Sequence, residues 1–181
     1  MKILSASDIH GSINWAQKII DRFHEEKADK LLLLGDLLYH GPRNDLPGDY
    51  RPKKVIELLN SEAHNIIAVR GNCDTEVDQM VLEFPILADY AHICVDGLSL
   101  IATHGHKYNI NTPIPMAEGD ILLHGHTHIP TSQDFGNKNT YLNPGSCAIP
   151  KGGYEKSYAI LEDRTFSVKS LNGELILQRK F

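Results

Sequence analysis

Residues 30–36, Lys-Leu-Leu-Leu-Leu-Gly-Asp, contain a continuous apolar run that ends abruptly at a glycine and a carboxylate. A short apolar run bounded by a turn signal is typical of a strand that is buried on both faces of a parallel sheet. Similar runs occur at residues 2–7 and 65–69, and segments with helical spacing of apolar residues separate the three runs. This β-α-β-α-β order predicts a parallel sheet with helices on its faces.

The first helix is predicted by the apolar spacing from Trp15 to Phe23, with Ser12 as its N-cap, and the second by Val55 to Leu59. The second half of the chain is richer in short strands. These are predicted at residues 91–95, 98–103, 120–124, 139–142, 157–161, 165–171 and 174–179. Asn172-Gly173 is a strong signal for a hairpin between the last two. We therefore expect an α/β fold with a core of two sheets and outer helices.

The composition is that of an ordinary globular protein. The chain has 181 residues, of which 41% are hydrophobic, and we expect a single domain that spans residues 1–181. Its net charge of −5 argues against extended binding to nucleic acid, which needs a basic stripe.

The sequence also indicates a cellular compartment. Cys73, Cys94 and Cys147 form no CxxC pair and suggest no disulfide framework. No apolar run approaches the ~18 residues of a membrane span, and Asp8 comes too early for a signal peptide. We expect a cytoplasmic protein that does not bind a membrane.

Polar side chains follow the ends of several predicted strands. They are Asp8, His10, Asp36, Asn72, His104, His126 and His128. First-row metal ions prefer imidazole nitrogens and carboxylate oxygens as ligands. Residues two apart in an extended chain point to the same side, so the pairs Asp8 with His10 and His126 with His128 could each reach one ion. We expect Gly125 to let the backbone approach that site closely.

Each of these residues also has a plainer interpretation. Asp8 could cap the helix that follows it, and Asp36 or Asn72 could form a turn after a glycine. A lone His104 could be a packed or surface histidine. The metal interpretation is favoured by the ordered series at strand ends, because several independent accidents would otherwise have to coincide.

The remaining histidines are assigned supporting or ordinary roles. We expect His106 and His124 to support the ligands or to pack beside them. Four histidines carry no motif: His24, His40, His64 and His92.

With these residues the chain resembles the calcineurin-like metallophosphoesterases, whose pattern is D-x-H, G-D, G-N-[H/C]-[D/E], a histidine and G-H-x-H. The matching segments are Asp8-Ile9-His10, Gly35-Asp36, Gly71-Asn72-Cys73-Asp74, His104 and Gly125-His126-Thr127-His128. The resemblance covers roughly residues 2–150. Its narrower form is the small bacterial and archaeal phosphodiesterase subfamily, and there it extends to Asn143–Ser146 and Ile149–Gly153.

The resemblance implies a four-layer αββα sandwich of two mixed sheets with two adjacent metal ions. The first ion would be held by Asp8, His10 and His128, and the second by Asn72, His104 and His126. Asp36 would bridge them. It also implies Mn²⁺ (with Fe, Co, Ni or Zn as alternatives) and a homo-oligomer, which we expect to be a homodimer or homotetramer. We expect a catalytic set of Asp36, Asn72, Cys73 and Asp74. Cys73 departs from the histidine that many family members carry there, and it could equally be a small buried hydrophobe.

Such a ligand set suits hydrolysis of phosphate esters. Two divalent ions bring about +4, and Asp8 with Asp36 returns about −2, so a positive surplus would attract hydroxide and a phosphate oxygen. A water shared by the ions would be the nucleophile, and no serine or cysteine nucleophile is needed. The chemistry fits phosphate esters in general, and the resemblance to the phosphodiesterase subfamily implies a small-molecule phosphodiester as the substrate.

Two other functions stay open. A scaffold with this fold could bind partners without catalysis, and a phosphomonoesterase or a nuclease could use the same metal core. A nuclease should carry a basic groove, and a monoesterase needs groups that embrace a terminal dianion; the sequence reveals neither.

The substrate cleft is less defined. We expect the loops Tyr39–Tyr50 and Asn109–Glu118 to shape it. Asn143–Ser146 and Lys151–Gly153 could be plain turns or could border it. Arg70 could contact phosphate or could form a surface ion pair.

Overall fold

The computed structural model describes residues 1–181, and its strands form two mixed β-sheets. In chain order, the strands are β1 (Ile3–Ala6), β2 (Lys30–Leu33), β3 (Ile66–Ala68), β4 (Tyr90–Val95), β5 (Leu98–Thr103), β6 (Ile121–His124), β7 (Thr131–Phe135), β8 (Asn139–Asn143), β9 (Ser157–Glu162), β10 (Thr165–Ser170) and β11 (Leu175–Lys180). The α-helices are α1 (Ile13–Glu25), α2 (Pro52–Asn60) and α3 (Glu76–Gln79).

The first sheet has six strands in the order β11-β10-β9-β1-β2-β3. Strands β1, β2 and β3 are parallel neighbours, with Leu4 opposite Leu31 and Leu32 opposite Ile67. The predicted β-α-β-α-β unit is therefore confirmed. The hairpin at Asn172-Gly173 is confirmed too, because β10 and β11 pair antiparallel on either side of it.

The second sheet has five strands in the order β4-β5-β6-β8-β7. Strands β5, β6 and β8 are parallel, and β7 pairs antiparallel with β8 at the edge. The sequence analysis missed β7. Its residues, Thr-Ser-Gln-Asp-Phe, are mostly polar and partly exposed, so they lack the apolar signal of a buried strand.

The leucine run of β2 packs on both sides of the first sheet. Leu31 and Leu33 belong to the cluster under the helices, whereas Leu32 and Leu34 face the second sheet. All four side chains are fully buried. Full burial of a leucine contributes roughly 1.5–3 kcal/mol, so this run ties the helices and both sheets together.

The helices lie on one side of the two-sheet sandwich. Buried side chains of α1 and α2 join the cluster on the outer face of the six-stranded sheet. The predicted sandwich of two mixed sheets flanked by helices is confirmed, and its few helices pack on the six-stranded sheet. The connection from β5 to β6 contains Pro113 and Pro115, which do not suit a helix interior.

Two local features differ from expectation. The Ser12 side chain does not cap α1, because its hydroxyl donates to Asp49. The short helix α3 was not predicted, although Thr75 and Asp78 form a capping box at its start. No helix of the structure has the length and apolar character needed to cross a bilayer.

Candidate metal centre

The seven predicted ligands come together where the parallel strands of both sheets end. Asp8 Oδ1 lies 3.1 Å from His128 Nε2 and 3.6 Å from His10 Nε2. Asp36 Oδ2 lies 3.5 Å from His104 Nε2 and 3.7 Å from His10 Nε2. The backbone N–H of His126 donates to Asp8 Oδ2 at 3.1 Å. Residues that follow β1 and β2 thus meet residues that follow β5 and β6.

Three histidines are oriented by backbone carbonyls. Nδ1 of His10 lies 2.9 Å from the Tyr39 oxygen, and Nδ1 of His104 lies 2.7 Å from the Leu34 oxygen. Nδ1 of His128 lies 2.6 Å from the oxygen of Ile149. A carbonyl only accepts, so each Nδ1 must carry a proton, and in its neutral form each ring presents the Nε2 lone pair to the centre.

A second group of acceptors surrounds His104. Its Nε2 lies 3.1 Å from Asn72 Oδ1 and 3.1 Å from His126 Nδ1. Because Nδ1 of His104 donates to a carbonyl, neutral His104 has no proton to place between its Nε2 and the Asn72 oxygen. These lone pairs repel one another unless a cation lies among them.

Two buried atoms of the centre have no hydrogen-bond partner: Asp8 Oδ1 and His10 Nε2. Burial raises the pKa of Asp8, but His10 and His128 in their protonated, positively charged form outweigh it and hold that pKa well below its usual range. A buried, ionised and unpartnered oxygen is costly. The donor set and these unpartnered atoms therefore fit a bound metal ion.

The backbone at this edge is strained. Asp8, His10, Asp36, His126 and His128 all have φ between 50° and 63°, the left-handed region that non-glycine residues rarely adopt. Each such residue costs ~1–2 kcal/mol. Strain of this kind clusters at functional sites, because the surrounding structure must hold it in place.

Asp74 lies behind the centre and does not line the cleft in front of it. Its carboxylate accepts the backbone N–H groups of Asp36, Leu37 and Gly71 at 2.8–2.9 Å. Burial raises the pKa of Asp74 to about 6, the charge of Asp36 adds to this, and the N–H donors oppose it. The geometry gives Asp74 contact with the turns that carry Asp36 and Asn72.

Cys73 lies at the wall of the cleft. Its backbone N–H donates to Asp36 Oδ1 at 2.8 Å. Burial, followed by the charge of Asp36, raises the pKa of the Cys73 thiol to about 12. The thiol therefore stays protonated at neutral pH.

The close approach expected at Gly125 is confirmed. A Cβ atom there would overlap the Ser7 hydroxyl and would lie 2.8 Å from Asp8 Oδ2. Gly71 is similar, because its Cβ would lie 2.9 Å from the carboxylate carbon of Asp36. Only glycine lets these two backbone segments touch the carboxylates.

A cleft of about 240 Å³ opens in front of the centre. Gly41–Asn44 and Lys151 line it together with Cys73 and several candidate ligands. The loop Tyr39–Tyr50 thus borders the cleft as expected, but no residue of Asn109–Glu118 does. The sequence analysis did not single out Arg43, because nothing in its local pattern separates it from other exposed arginines.

Of the two roles predicted for Arg70, phosphate contact or a surface ion pair, the structure shows the ion pair. Its guanidinium lies 3.2 Å from Glu76 and donates to the Asp74 carbonyl, and Arg70 does not line the cleft.

Asn143 lies in the interior, where its amide donates to the Gly125 carbonyl at 2.9 Å. Ser146 donates to the carbonyl of Asp8 at 3.1 Å. The turn Asn143–Ser146 therefore supports the centre from behind.

The two flanking histidines pack beside the ligands. The His124 ring stacks on Tyr141 with 4.3 Å between centroids, and burial lowers the pKa of His124 to about 4. The His106 ring lies 5.3 Å from that of His104. Both positions agree with the supporting or packing role expected for them.

Two mixed sheets with aspartates and histidines at their strand ends define a metallophosphoesterase type of fold and site. The family model of the calcineurin-like phosphoesterase superfamily domain matches residues 1–165. The chain belongs to this superfamily.

Individual relatives agree with this family membership. Phosphodiesterase YfcE of Escherichia coli strain K12 is 45% identical over 177 residues, which cover 98% of this chain and 96% of that protein. The solved structure of YfcE, described as a phosphoesterase from E. coli, superposes with a TM-score of 0.95 and 44% identity, covering 99% and 98% of the two chains. Vacuolar protein sorting 29 of Cryptosporidium parvum shares the fold, with a TM-score of 0.65 and 17% identity over 99% of this chain and 97% of that one.

Proposed function

We propose that this protein is a metal-dependent phosphodiesterase that uses two divalent transition-metal ions to hydrolyse small phosphodiesters. One observation carries the proposal: lone-pair atoms crowd together at the edge of the two sheets, where neutral imidazoles have no proton to place between them. His104 Nε2 and Asn72 Oδ1 are 3.1 Å apart. Across the centre, Asp8 Oδ1 and His10 Nε2 have no hydrogen-bond partner. Cations relieve both arrangements at once.

The distances support two adjacent sets of ligands. The first set is Asp8, His10 and His128; the second is Asn72, His104 and His126. Asp36 is the proposed bridge, because its Oδ2 lies within 3.7 Å of one histidine from each set. Its other oxygen is held by the N–H of Cys73, which fixes the carboxylate orientation.

The donor chemistry selects the metal class. Four imidazoles disfavour Ca²⁺ and Mg²⁺ and suit first-row transition metals, among which we propose Mn²⁺. Ions held there would lower the pKa of a shared water and neutralise charge that develops at phosphorus. In the hydrolysis, a water oxygen bonds to phosphorus, one ester P–O bond breaks, and the leaving oxygen gains a proton.

The cleft also bears on the monoester alternative. Arg43 and Lys151 line it, and such cations could embrace a terminal phosphate. The diester is nevertheless the better-supported substrate, because the relative with 45% identity is named a phosphodiesterase. The scaffold alternative is supported only by the fold shared with vacuolar protein sorting 29 at 17% identity. It is less well supported, because all seven predicted ligand positions of this chain carry side chains that can bind metal.

The test is a side-by-side measurement of kcat/KM for bis- and mono-nitrophenyl phosphate with added Mn²⁺. We expect clear turnover of the diester and little of the monoester. Preference for the monoester would refute the diesterase assignment. Absence of both metal binding and turnover would favour a scaffold.

Three further expectations stay predictions. The first is a cytoplasmic location, which the three free cysteines support. The second is a homodimeric or homotetrameric state. The third is that the protein does not bind an extended stretch of nucleic acid.

A further inference from the structure

Two positive side chains, Arg43 and Lys151, line the cleft in front of the candidate metal centre. They come from different parts of the chain: Arg43 lies in the loop after β2, and Lys151 follows β8. Ion pairs hold other cations, such as Arg70 and Lys169, but neither cleft cation forms one. Both charges are exposed and free to meet a ligand.

Both segments are tied to the first ligand set. The Lys151 N–H donates to the His128 carbonyl at 3.1 Å. On the other side, the Tyr39 carbonyl holds Nδ1 of His10, and a backbone hydrogen bond from Asn44 to Gly41 closes the turn that presents Arg43. The two cations therefore lie at the mouth of the cleft on segments attached to His10 and His128, and the turn of Arg43 also approaches Cys73.

A charge count shows that the reacting groups do not need these cations. Two divalent ions with Asp8 and Asp36 leave a surplus of about +2, which one hydroxide and one phosphodiester monoanion balance. Asp74 is already satisfied by three backbone N–H groups. Arg43 and Lys151 then add a positive charge that the reaction itself does not neutralise.

We propose that Arg43 and Lys151 bind a second anionic group of the substrate, on the ester arm next to His10 and His128. The preferred substrates are then phosphodiesters that carry an additional carboxylate or phosphate. This inference rests on the proposed function, since it names the substrate class of the same site. Lysine and arginine bind either anion through charge-assisted hydrogen bonds, and the geometry of Arg43 allows a bidentate contact.

The experiment uses nitrophenyl phosphodiesters that differ only in the second arm. A carboxymethyl arm is compared with the neutral, nearly isosteric carbamoylmethyl arm, and a phosphonomethyl arm tests phosphate as the anion. All release nitrophenolate, so leaving-group chemistry is constant. The proteins are wild type, Arg43→Gln, Lys151→Gln and the double variant. Lys180→Gln is the matched control, because Lys180 is an exposed cation on the strand β11.

We expect wild type to favour the carboxymethyl over the carbamoylmethyl ester by about tenfold in kcat/KM, as one charge-assisted contact predicts. The double variant should bring this ratio close to one, and Lys180→Gln should leave it unchanged. A wild-type ratio of one or less overturns the proposal. Equal losses on both esters also overturn it, because the cations would then act on the reacting phosphoryl group.

A binding measurement separates this inference from the proposed function. Calorimetry compares phosphonoacetate with phosphonoacetamide on wild type and on the double variant, with and without Mn²⁺. Tighter binding of phosphonoacetate that disappears in the double variant supports the anion site even if no diester is hydrolysed. Equal affinity of the two ligands for wild type contradicts it, whatever the turnover.

Discussion

The Asp74 carboxylate accepts the backbone N–H of Asp36 at 2.8 Å, although the two acids are both buried and both negative when ionised. The same carboxylate accepts the N–H groups of Leu37 and Gly71. It thereby joins the turn after β2 to the turn after β3. One side chain that does not line the cleft thus holds the backbone of Asp36 in register with that of Asn72.

We predict that Asp74→Asn destabilises the protein by about 1–3 kcal/mol and weakens metal binding. An amide has one acceptor oxygen, so its NH₂ group would face a backbone N–H and leave it unsatisfied. Urea unfolding and metal-binding calorimetry measure both effects. Asp89→Asn is the control, because Asp89 forms a solvent-exposed pair with Lys107 and accepts no backbone N–H of the site. Similar stability of the two variants would contradict the role given to Asp74.

We predict that Asp36 is the least replaceable ligand. Its Oδ2 lies within 3.7 Å of a histidine of each proposed set, so Asp36→Asn would remove the charge that the two proposed ions would share. Asn72→Ala removes a neutral ligand of one ion and should cost far less. The measurements are metal stoichiometry and kcat for both variants. Wild-type activity of Asp36→Asn would exclude the two-metal proposal.

Gly125→Ala should weaken metal binding at the first proposed ligand set. The new methyl group would overlap the Ser7 hydroxyl and push against Asp8 Oδ2, so the Asp8 carboxylate must move. The control is Gly48→Ala, whose Cβ meets nothing within 4 Å and whose φ is ordinary. Calorimetric titration with Mn²⁺ should show loss of affinity in the first variant only. Equal affinities would mean that the Asp8 position tolerates displacement.

Cys73 should control how steeply the hydrolysis rate depends on the pKa of the leaving group. Cys73 carries no positive charge, and its raised pKa makes the thiol a weak proton donor. Rates on a series of aryl and alkyl diesters should therefore fall steeply as the leaving-group pKa rises. Cys73→His should flatten this slope, if the imidazole reaches the leaving oxygen. A flat slope in wild type would show that another group already supplies the proton.

We predict that Glu26 contributes to the free energy of unfolding and that this contribution is lost at low pH. Burial raises its pKa, but contacts with Lys169, Tyr158 and Lys2 outweigh this and lower it from 4.5 to about 2. Because the folded-state pKa is depressed, this stability is present above pH 4.5 and is lost as the pH falls towards 2.

Glu26→Gln should therefore lower the free energy of unfolding at pH 7, and its difference from wild type should shrink as the pH falls through this window. Urea unfolding from pH 7 to low pH measures it. Glu25→Gln is the control, because Glu25 forms an exposed i, i+3 pair with Arg22. A difference that is constant with pH would refute the assignment.

The sequence by itself determined the parallel unit and the group of polar residues that gather at the ends of its strands. The leucine run of β2 specifies a strand buried on both faces, because every one of its side chains is apolar. Asp8, Asp36 and His104 follow such runs, and parallel strands end at a common edge. Local patterns therefore sufficed to name residues that meet in space.

Only the tertiary structure decided what depends on neighbours distant in the chain. The polar strand β7 forms because β8 offers an unpaired edge, and its own residues do not signal it. Asp74 receives its donors from two separate turns, and Arg43 shares a cleft with a lysine more than a hundred residues away. Periodicity and turn chemistry act over a few residues. Contacts between separate turns and loops are fixed by sheet order and packing, which no local pattern encodes.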